Sequence, residues 1–277
     1  MEAEPGGILP SIKHPLVRSA RSLNQPAERE AQNRYLIEGE DLLRTAVACR
    51  APIAYALLAD APFPSDLADA LSSAGVPWYR ISRGLLFKVI GTPYETAVNS
   101  VAVVNRRLIG PADLPSGPQT LVLVGERIQD PRNVGVLIRT ADAAGANAVV
   151  LDTQSADPFS RPAVRSTTGS ILRLPICIAA DLPAVLLRFR GRGLHIVSTS
   201  AHAPTILWRH DFTKPAAIVF GNETEGVSEA VKTIADAHVR IPILGGASSL
   251  NVGVAAGIVL YEVVRQRMCH SGTPTCS

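Results

Sequence analysis

The stretch LVLVG at 121–125 carries no polar side chain, and it restricts the fold of this 277-residue chain more than any other feature. A strand with one wet face alternates apolar and polar residues; a strand apolar at every position must be covered on both faces. The runs AVVL (148–151), RLPICI (173–178), HIVST (195–199), AIVF (217–220) and HVRIP (238–242) read as further buried strands. Between the first two, Val134, Leu137, Ile138 and Ala141 recur at helical spacing, which predicts a helix over 134–144. A long helix is predicted from about Asn251 to Arg267. Buried strands alternating with helices predict an α/β domain over 120–268, built on a mostly parallel sheet covered on both sides.

The first half is a smaller α/β pattern. Strands are predicted at Ala54–Leu58, Tyr79–Ile81 and Val101–Val104, and a helix from Ser65 to Ser73 that Gly75 ends. This assigns 13–107 to one domain, 1–12 and 269–277 to flexible tails, and 108–119 to a linker. The linker contains IGPADLPSGPQ, with three prolines and two glycines in eleven residues.

Composition narrows the function classes. Apolar residues make up 47% and charged residues 18%, a globular balance. No run of eighteen apolar residues suggests a membrane span, and the start MEAEPGGILP lacks the basic and apolar regions of a signal peptide. Cys49, Cys177, Cys269 and Cys276 fit no zinc or redox spacing, which predicts free thiols in a reducing cytoplasm and no metal site. The net charge is +3: residues 1–115 hold 12 Lys+Arg and 12 Asp+Glu, residues 116–277 hold 15 and 12. Of the 27 cations only four are lysines, a bias that suits phosphate contacts but equally follows from a GC-rich genome.

Three blocks carry candidate chemistry. In ERIQDPRNVGVLIRTADAAGA (126–146) a polar loop leads from a buried strand into a helix, with Asn133 at the expected cap and Arg139 inside. The strand ends of an open α/β sheet are where ligands bind, which puts both residues near a site. In IVFGNETEGVSEAV (218–231), Gly221 and Gly226 would let the backbone approach a ligand, with Asn222 and Glu223 as polar contacts. In RIPILGGASSLNVGVAAGIVLYEVVRQR (240–267), Ser248-Ser249-Leu250-Asn251 opens a helix. Its early Gly253, Ala256 and Gly257 are small, as a close dimer contact would need; the two glycines give up helix propensity, about 1 kcal/mol each, which close packing must offset. Dinucleotide, P-loop, HExxH and GxSxG signatures are absent.

Together, NVGVLIRTA, FGNETEG and IPILGGASSLNVGVAAGI, in this order across about 145 residues, resemble the SpoU/TrmH family of RNA ribose methyltransferases, members of the SPOUT superfamily. The resemblance implies a parallel α/β sheet whose C-terminal segment forms a deep trefoil knot, S-adenosyl-L-methionine as cofactor, and a homodimer. By position it implies that Asn133, Arg139, Glu223, Ser249 and Asn251 form the catalytic pocket, and that Thr199, Gly221, Asn222, Gly226, Ile241 and Leu250 hold the cofactor. Arg139 then acts either as general base or as a charge stabiliser. A guanidinium is a poor base at neutral pH, which favours the second role. Gly253 stands where relatives commonly have serine, which implies slightly looser packing there.

The stretch from HPLVRSARSL to EREAQNRYLIEGEDLLRTA resembles the family's ribosomal-protein-like RNA-binding extension, with Arg29 and Arg34 as candidate phosphate contacts. Residues 91–105 match the family's usual linker-proximal segment only faintly. The implied substrate is 23S-type ribosomal RNA, in a housekeeping or an antibiotic-resistance role. A tRNA 2′-O-methyltransferase, a base methyltransferase and an inactive RNA-binding scaffold stay open as alternatives.

Overall fold

A computed structural model describes residues 4–91, 98–114 and 116–270. Cys276, most of the expected C-terminal tail and the middle of segment 91–105 lie outside the described residues. The chain divides into two compact units: 1–107 with 159–173, and 108–158 with 174–277.

The first unit runs α1 (Pro15–Ser22), α2 (Pro26–Gln32), β1 (Arg34–Glu38), α3 (Glu40–Ala48), β2 (Ile53–Ala59), α4 (Ser65–Ser73), β3 (Trp78–Ile81), α5 (Arg83–Ile90) and β4 (Ser100–Asn105). Its sheet has the order β1-β4-β2-β3, with β4 antiparallel to both neighbours. Val17 and Ala20 of α1 and Leu86 and Val89 of α5 cover Leu57, Val101 and Val103 on one face. The expected tail is only partly a tail. Leu9 is buried, and backbone hydrogen bonds of Gly6, Gly7 and Leu9 to Trp78 and Arg80 lay residues 6–9 along β3.

In the second unit β5 (Leu121–Gly125), α6 (Pro131–Ala143) and β6 (Ala148–Asp152) come first. The chain then gives α7 (Arg161–Thr167) to the first unit. It returns with β7 (Ile176–Ala179), α8 (Leu182–Gly191), β8 (His195–Thr199), β9 (Thr205–Ile206), β10 (Ala216–Phe220), α9 (Glu229–Ile234), β11 (Ala237–Arg240) and α10 (Val252–His270). The seven strands are parallel in the order β7-β6-β5-β10-β8-β11-β9. β5 and β10 are buried at all five positions, as an apolar strand covered on both faces must be. Val122, Val124, Val150, Ala217 and Val219 pack under α8 through Leu186 and Phe189. β11, late in the chain, inserts between β8 and β9, and α10 then packs against α6.

The segment 159–173 departs from the expected 120–268 domain. Phe159 lies 5.0 Å, ring to ring, from Tyr35, and Arg161 pairs with Glu38. Both partners lie on β1, so these contacts hold α7 to the first unit.

Candidate active site

The expected cap of α6 shifts by one loop. Asp130, not Asn133, is the N-cap: its carboxylate accepts from the Arg132 amide at 2.8 Å, and Pro131 follows at the first helical position. Asn133 therefore lies inside the first turn, and its amide is free to reach across the fold. It donates to Glu223 Oε1 at 2.9 Å and accepts from Asn251 Nδ2 at 3.1 Å. The direction follows from chemistry, because an ionised carboxylate only accepts, so the Asn133 nitrogen must face it. Asn251 Oδ1 in turn accepts from the Gly253 amide at 2.9 Å and caps α10. The Gln129 amide completes the set with a 3.3 Å bond to Glu223 Oε2. Burial pushes the Glu223 carboxyl up. The hydrogen bonds from the Asn133 side chain and from the Gln129 and Asp130 amides outweigh it and leave the carboxyl below its ordinary range.

Glu223 also lines a cavity of about 370 Å³ beyond the C-terminal ends of β8, β10 and β11. That edge is where open α/β sheets hold ligands. Thr199, Gly221, Asn222, Gly226, Ile241, Ser249 and Leu250 all line it, with Phe220, Val239, Ile243 and Val259 as apolar neighbours. The Thr199 hydroxyl is spent on the Val219 carbonyl at 2.9 Å. The loop 241–250 makes no recorded backbone–backbone hydrogen bond among the described residues, so its amides and carbonyls can serve a ligand.

The glycines of the turn work differently from each other. A Cβ on Gly221 would stand 2.2 Å from the Gly226 carbonyl carbon and the Val227 nitrogen. The close approach at Gly221 is thus to its own chain. Gly226 has φ +70°, open space around its Cα, and two backbone bonds with Asn222 at 2.9 and 3.1 Å.

Arg139 does not line the cavity. It is exposed on the third turn of α6, with no recorded hydrogen bond or ion pair among the described residues. Arg29 is a correction. It is 5% exposed, and its guanidinium donates to the Leu23 and Asn24 carbonyls at 2.8 and 3.0 Å, just past α1. A guanidinium so enclosed cannot meet a phosphate. Arg34 is half-buried, with Nε on Asn105 Oδ1 at 3.0 Å.

One residue beside the site was not legible. Arg127 sits at φ +53°, a rare conformation for a side-chain-bearing residue. Its amide donates to Asp152, its carbonyl accepts from Asn222 at 2.8 Å, and its guanidinium pairs with Glu225. It ties the loop after β5 to the 222–226 turn. The sequence signals neither the left-handed backbone nor the long-range partners.

Residues 120–261 match the SpoU rRNA Methylase family. The chain belongs to that family. Among its relatives, an uncharacterized tRNA/rRNA methyltransferase of Synechocystis is 34% identical, over 94% of this chain and 94% of its own. The 23S rRNA (guanosine(2553)-2′-O)-methyltransferase RlmP of Bacillus subtilis is 31% identical over 91% of this chain and 97% of its own. The crystal structure of the SpoU methyltransferase AviRb from Streptomyces viridochromogenes, in complex with AdoMet, superposes with a TM-score of 0.83. It is 31% identical and covers 92% of this chain and 99% of that one. In this SpoU methylase the three sequence blocks therefore meet at one place: the first and third through Asn133 and Asn251, the second through Glu223.

Proposed function

We propose that this protein transfers a methyl group from S-adenosyl-L-methionine to a ribose 2′-hydroxyl of 23S-type ribosomal RNA. The observation that carries the reading is the Glu223–Asn133–Asn251 chain, whose Glu223 lines the sheet-edge cavity. The residues present fit the cofactor: apolar Val239, Ile243 and Val259 suit an adenine ring, and the unbonded loop 241–250 offers backbone groups to its polar edge. The named activities of RlmP and the AdoMet complex of AviRb support the same reading.

S-Adenosylmethionine supplies an electrophilic methyl on a sulfonium. The protein's part is positioning, which can contribute about 7–11 kcal/mol, and management of charge on the attacking oxygen. Asn133, Glu223, Ser249 and Asn251 organise the pocket, with Glu223 ionised and held by Asn133. Arg139 stabilises the developing alkoxide. The cytoplasm is where such a substrate is met, and among the described residues no helix is long and apolar enough to cross a membrane.

A homodimer belongs to this reading. Val254, Ile258 and Tyr261 of α10 and Val136 of α6 are exposed apolar side chains, a face suited to a two-fold partner. Gly253 and Ala256, two of the small residues of this helix, are buried within the chain. Arg139 follows Val136 by one helical turn, so pairing through this face puts Arg139 at the seam between two copies. The knotted threading is supported by the insertion of β11 between β8 and β9.

The test is incubation with methyl-labelled cofactor and unmodified 23S ribosomal RNA, followed by mapping of 2′-O-methylation. A single modified ribose is expected, lost when that position carries a 2′-deoxy sugar. Label on a base, or on tRNA alone, would refute the assignment.

A further inference from the structure

Two neighbouring residues, Glu126 and Arg127, grip the turn after β10 from one end to the other. The Glu126 amide donates to the Phe220 carbonyl at 2.9 Å, and the Glu126 carboxylate accepts from the Ser228 amide at 2.8 Å. Between those ends the Arg127 carbonyl accepts from Asn222 Nδ2 at 2.8 Å. The Arg127 guanidinium pairs with Glu225 and donates to the Gly226 carbonyl at 3.4 Å. Asn222 Oδ1 in turn accepts from the Thr224 and Glu225 amides at 2.9 and 3.0 Å. Every residue from Gly221 to Gly226 lines the cavity at the sheet edge, and Arg127 does not.

The gripping residue is itself held from behind. Asp152 Oδ1, at the end of β6, accepts from the Arg127 amide at 2.9 Å and from Ser155 Oγ at 2.6 Å. The Ser155 hydroxyl accepts from the Ile128 amide at 3.0 Å. These bonds fix residue 127 at φ +53°, a left-handed backbone that is unfavourable for any residue with a Cβ and open to glycine. A strained position persists only where its surroundings over-determine it. Here the strain aims one side chain at a partner 98 residues further along the chain. The ion pair is wet, with side chains 25% and 65% exposed, and such pairs contribute little to stability. What it does contribute is a choice among the shapes of the turn.

We infer that Arg127 is a positioning residue for S-adenosyl-L-methionine: it holds the 222–226 turn in the shape that receives the cofactor and does not touch the cofactor itself. The inference rests on the reading above that this cavity is the cofactor site. A turn released from its outer grip samples more shapes, and the ligand binds only the competent fraction of them. Affinity then falls by that fraction, while the complex, once formed, reacts as before. Arg127 therefore acts on cofactor affinity and not on turnover.

The test measures cofactor binding by calorimetry on the full chain without RNA, so that a phosphate contact of Arg127 cannot register. Melting temperature and single-turnover methylation at saturating cofactor are measured beside it. Arg127→Gly keeps the left-handed backbone and removes the guanidinium. It should weaken cofactor affinity about 3- to 10-fold, with turnover at saturation within about twofold of wild type and the melting temperature at or above it. Arg127→Lys keeps the charge but not both contacts, and should recover part of the loss. Glu225→Gln should also weaken affinity, and the double variant should bind no worse than the weaker of the two single variants, since both remove one contact. Wild-type affinity in Arg127→Gly, or a loss that adds in full to that of Glu225→Gln, would overturn the inference. So would an equal fall in affinity and in turnover at saturation, which would assign Arg127 to the fold at large. Ser249→Phe crowds the cavity from an exposed loop position and tests the reading beneath. If that variant binds cofactor as the wild type does, the cavity is not the cofactor site. If it binds none while Arg127→Gly binds normally, the cavity stands and only the positioning role falls.

Discussion

Asn133 donates its side-chain amide to Glu223 Oε1 at 2.9 Å across 90 residues of sequence, and this bond joins the first turn of α6 to the turn after β10. The chain onward to Asn251 keeps its direction only while residue 223 presents an acceptor oxygen to the Asn133 amide. Asn133→Asp sets two carboxylates face to face and should lower the methylation rate on the order of 10²-fold, the scale of a small misplacement at a reacting centre. Glu223→Gln should cost less at neutral pH. The Glu223 carboxyl sits below its ordinary 4.5 in the folded protein, so its contribution is fully present above 4.5 and is lost as pH falls through the lower folded value. A single-turnover pH profile should show an acid limb in the wild type that Glu223→Gln removes. An unchanged limb would mean that another group titrates.

The two glycines of the 221–226 turn should respond unequally to alanine. At Gly221 the added methyl meets backbone atoms at 2.2 Å that cannot step aside. Gly221→Ala should therefore distort the turn and the cavity together, lowering both melting temperature and cofactor affinity. At Gly226 there is open space, and the cost is the left-handed backbone alone, about 1–2 kcal/mol. Gly226→Ala should fold and bind cofactor only modestly less well in calorimetry. Equal losses at the two positions would show that ligand contact, not chain closure, decides both.

Gly253 lies where α10 packs on α6, and a Cβ there would come within 2.5 Å of Val136 Cγ1. The glycine that the family resemblance implied would loosen packing instead permits a closer helix approach. Gly253→Ser should destabilise by about 1–3 kcal/mol through overpacking. Val136→Ala in the same chain should recover most of that loss. Thermal unfolding of the single and double variants measures it, and the absence of recovery would place the strain elsewhere.

The catalytic sheet was largely legible because β5 and β10 are apolar at every position, a pattern that a strand covered on both faces imposes locally. The helix of 65–73 was equally plain, since its apolar spacing and terminating glycine lie next to each other. What failed was nonlocal. Asp130 and Asn133 are both good caps three residues apart, and only Glu223 and Asn251, far along the chain, release Asn133 for another task. Arg29 looks like any surface arginine until the carbonyls after α1 close on it. Segment 159–173 has the same α/β character as its flanks, and nothing in its periodicity says that Phe159 belongs on Tyr35.

Arg139 carries the sharpest prediction, because the structure leaves it exposed on α6 and outside the cavity lining. A residue that holds the cofactor would be expected to touch the cavity; one that meets the ribose oxygen need only stand where substrate arrives. Its interaction then exists in the transition state and not in the cofactor complex, so its loss changes turnover and spares binding. Arg139→Ala should keep the fold and the cofactor affinity and lose about 10²-fold or more in methylation rate. Arg139→Lys should restore little, since a compact ammonium does not reproduce the planar fork. If Arg139 works at a seam between two copies, mixing Arg139→Ala with a variant inactivated at Glu223 should recover activity in the mixed dimers. Recovery requires that the two residues serve one site from different chains; its absence, with exchange of subunits verified, would place Arg139 and Glu223 in the same chain's site.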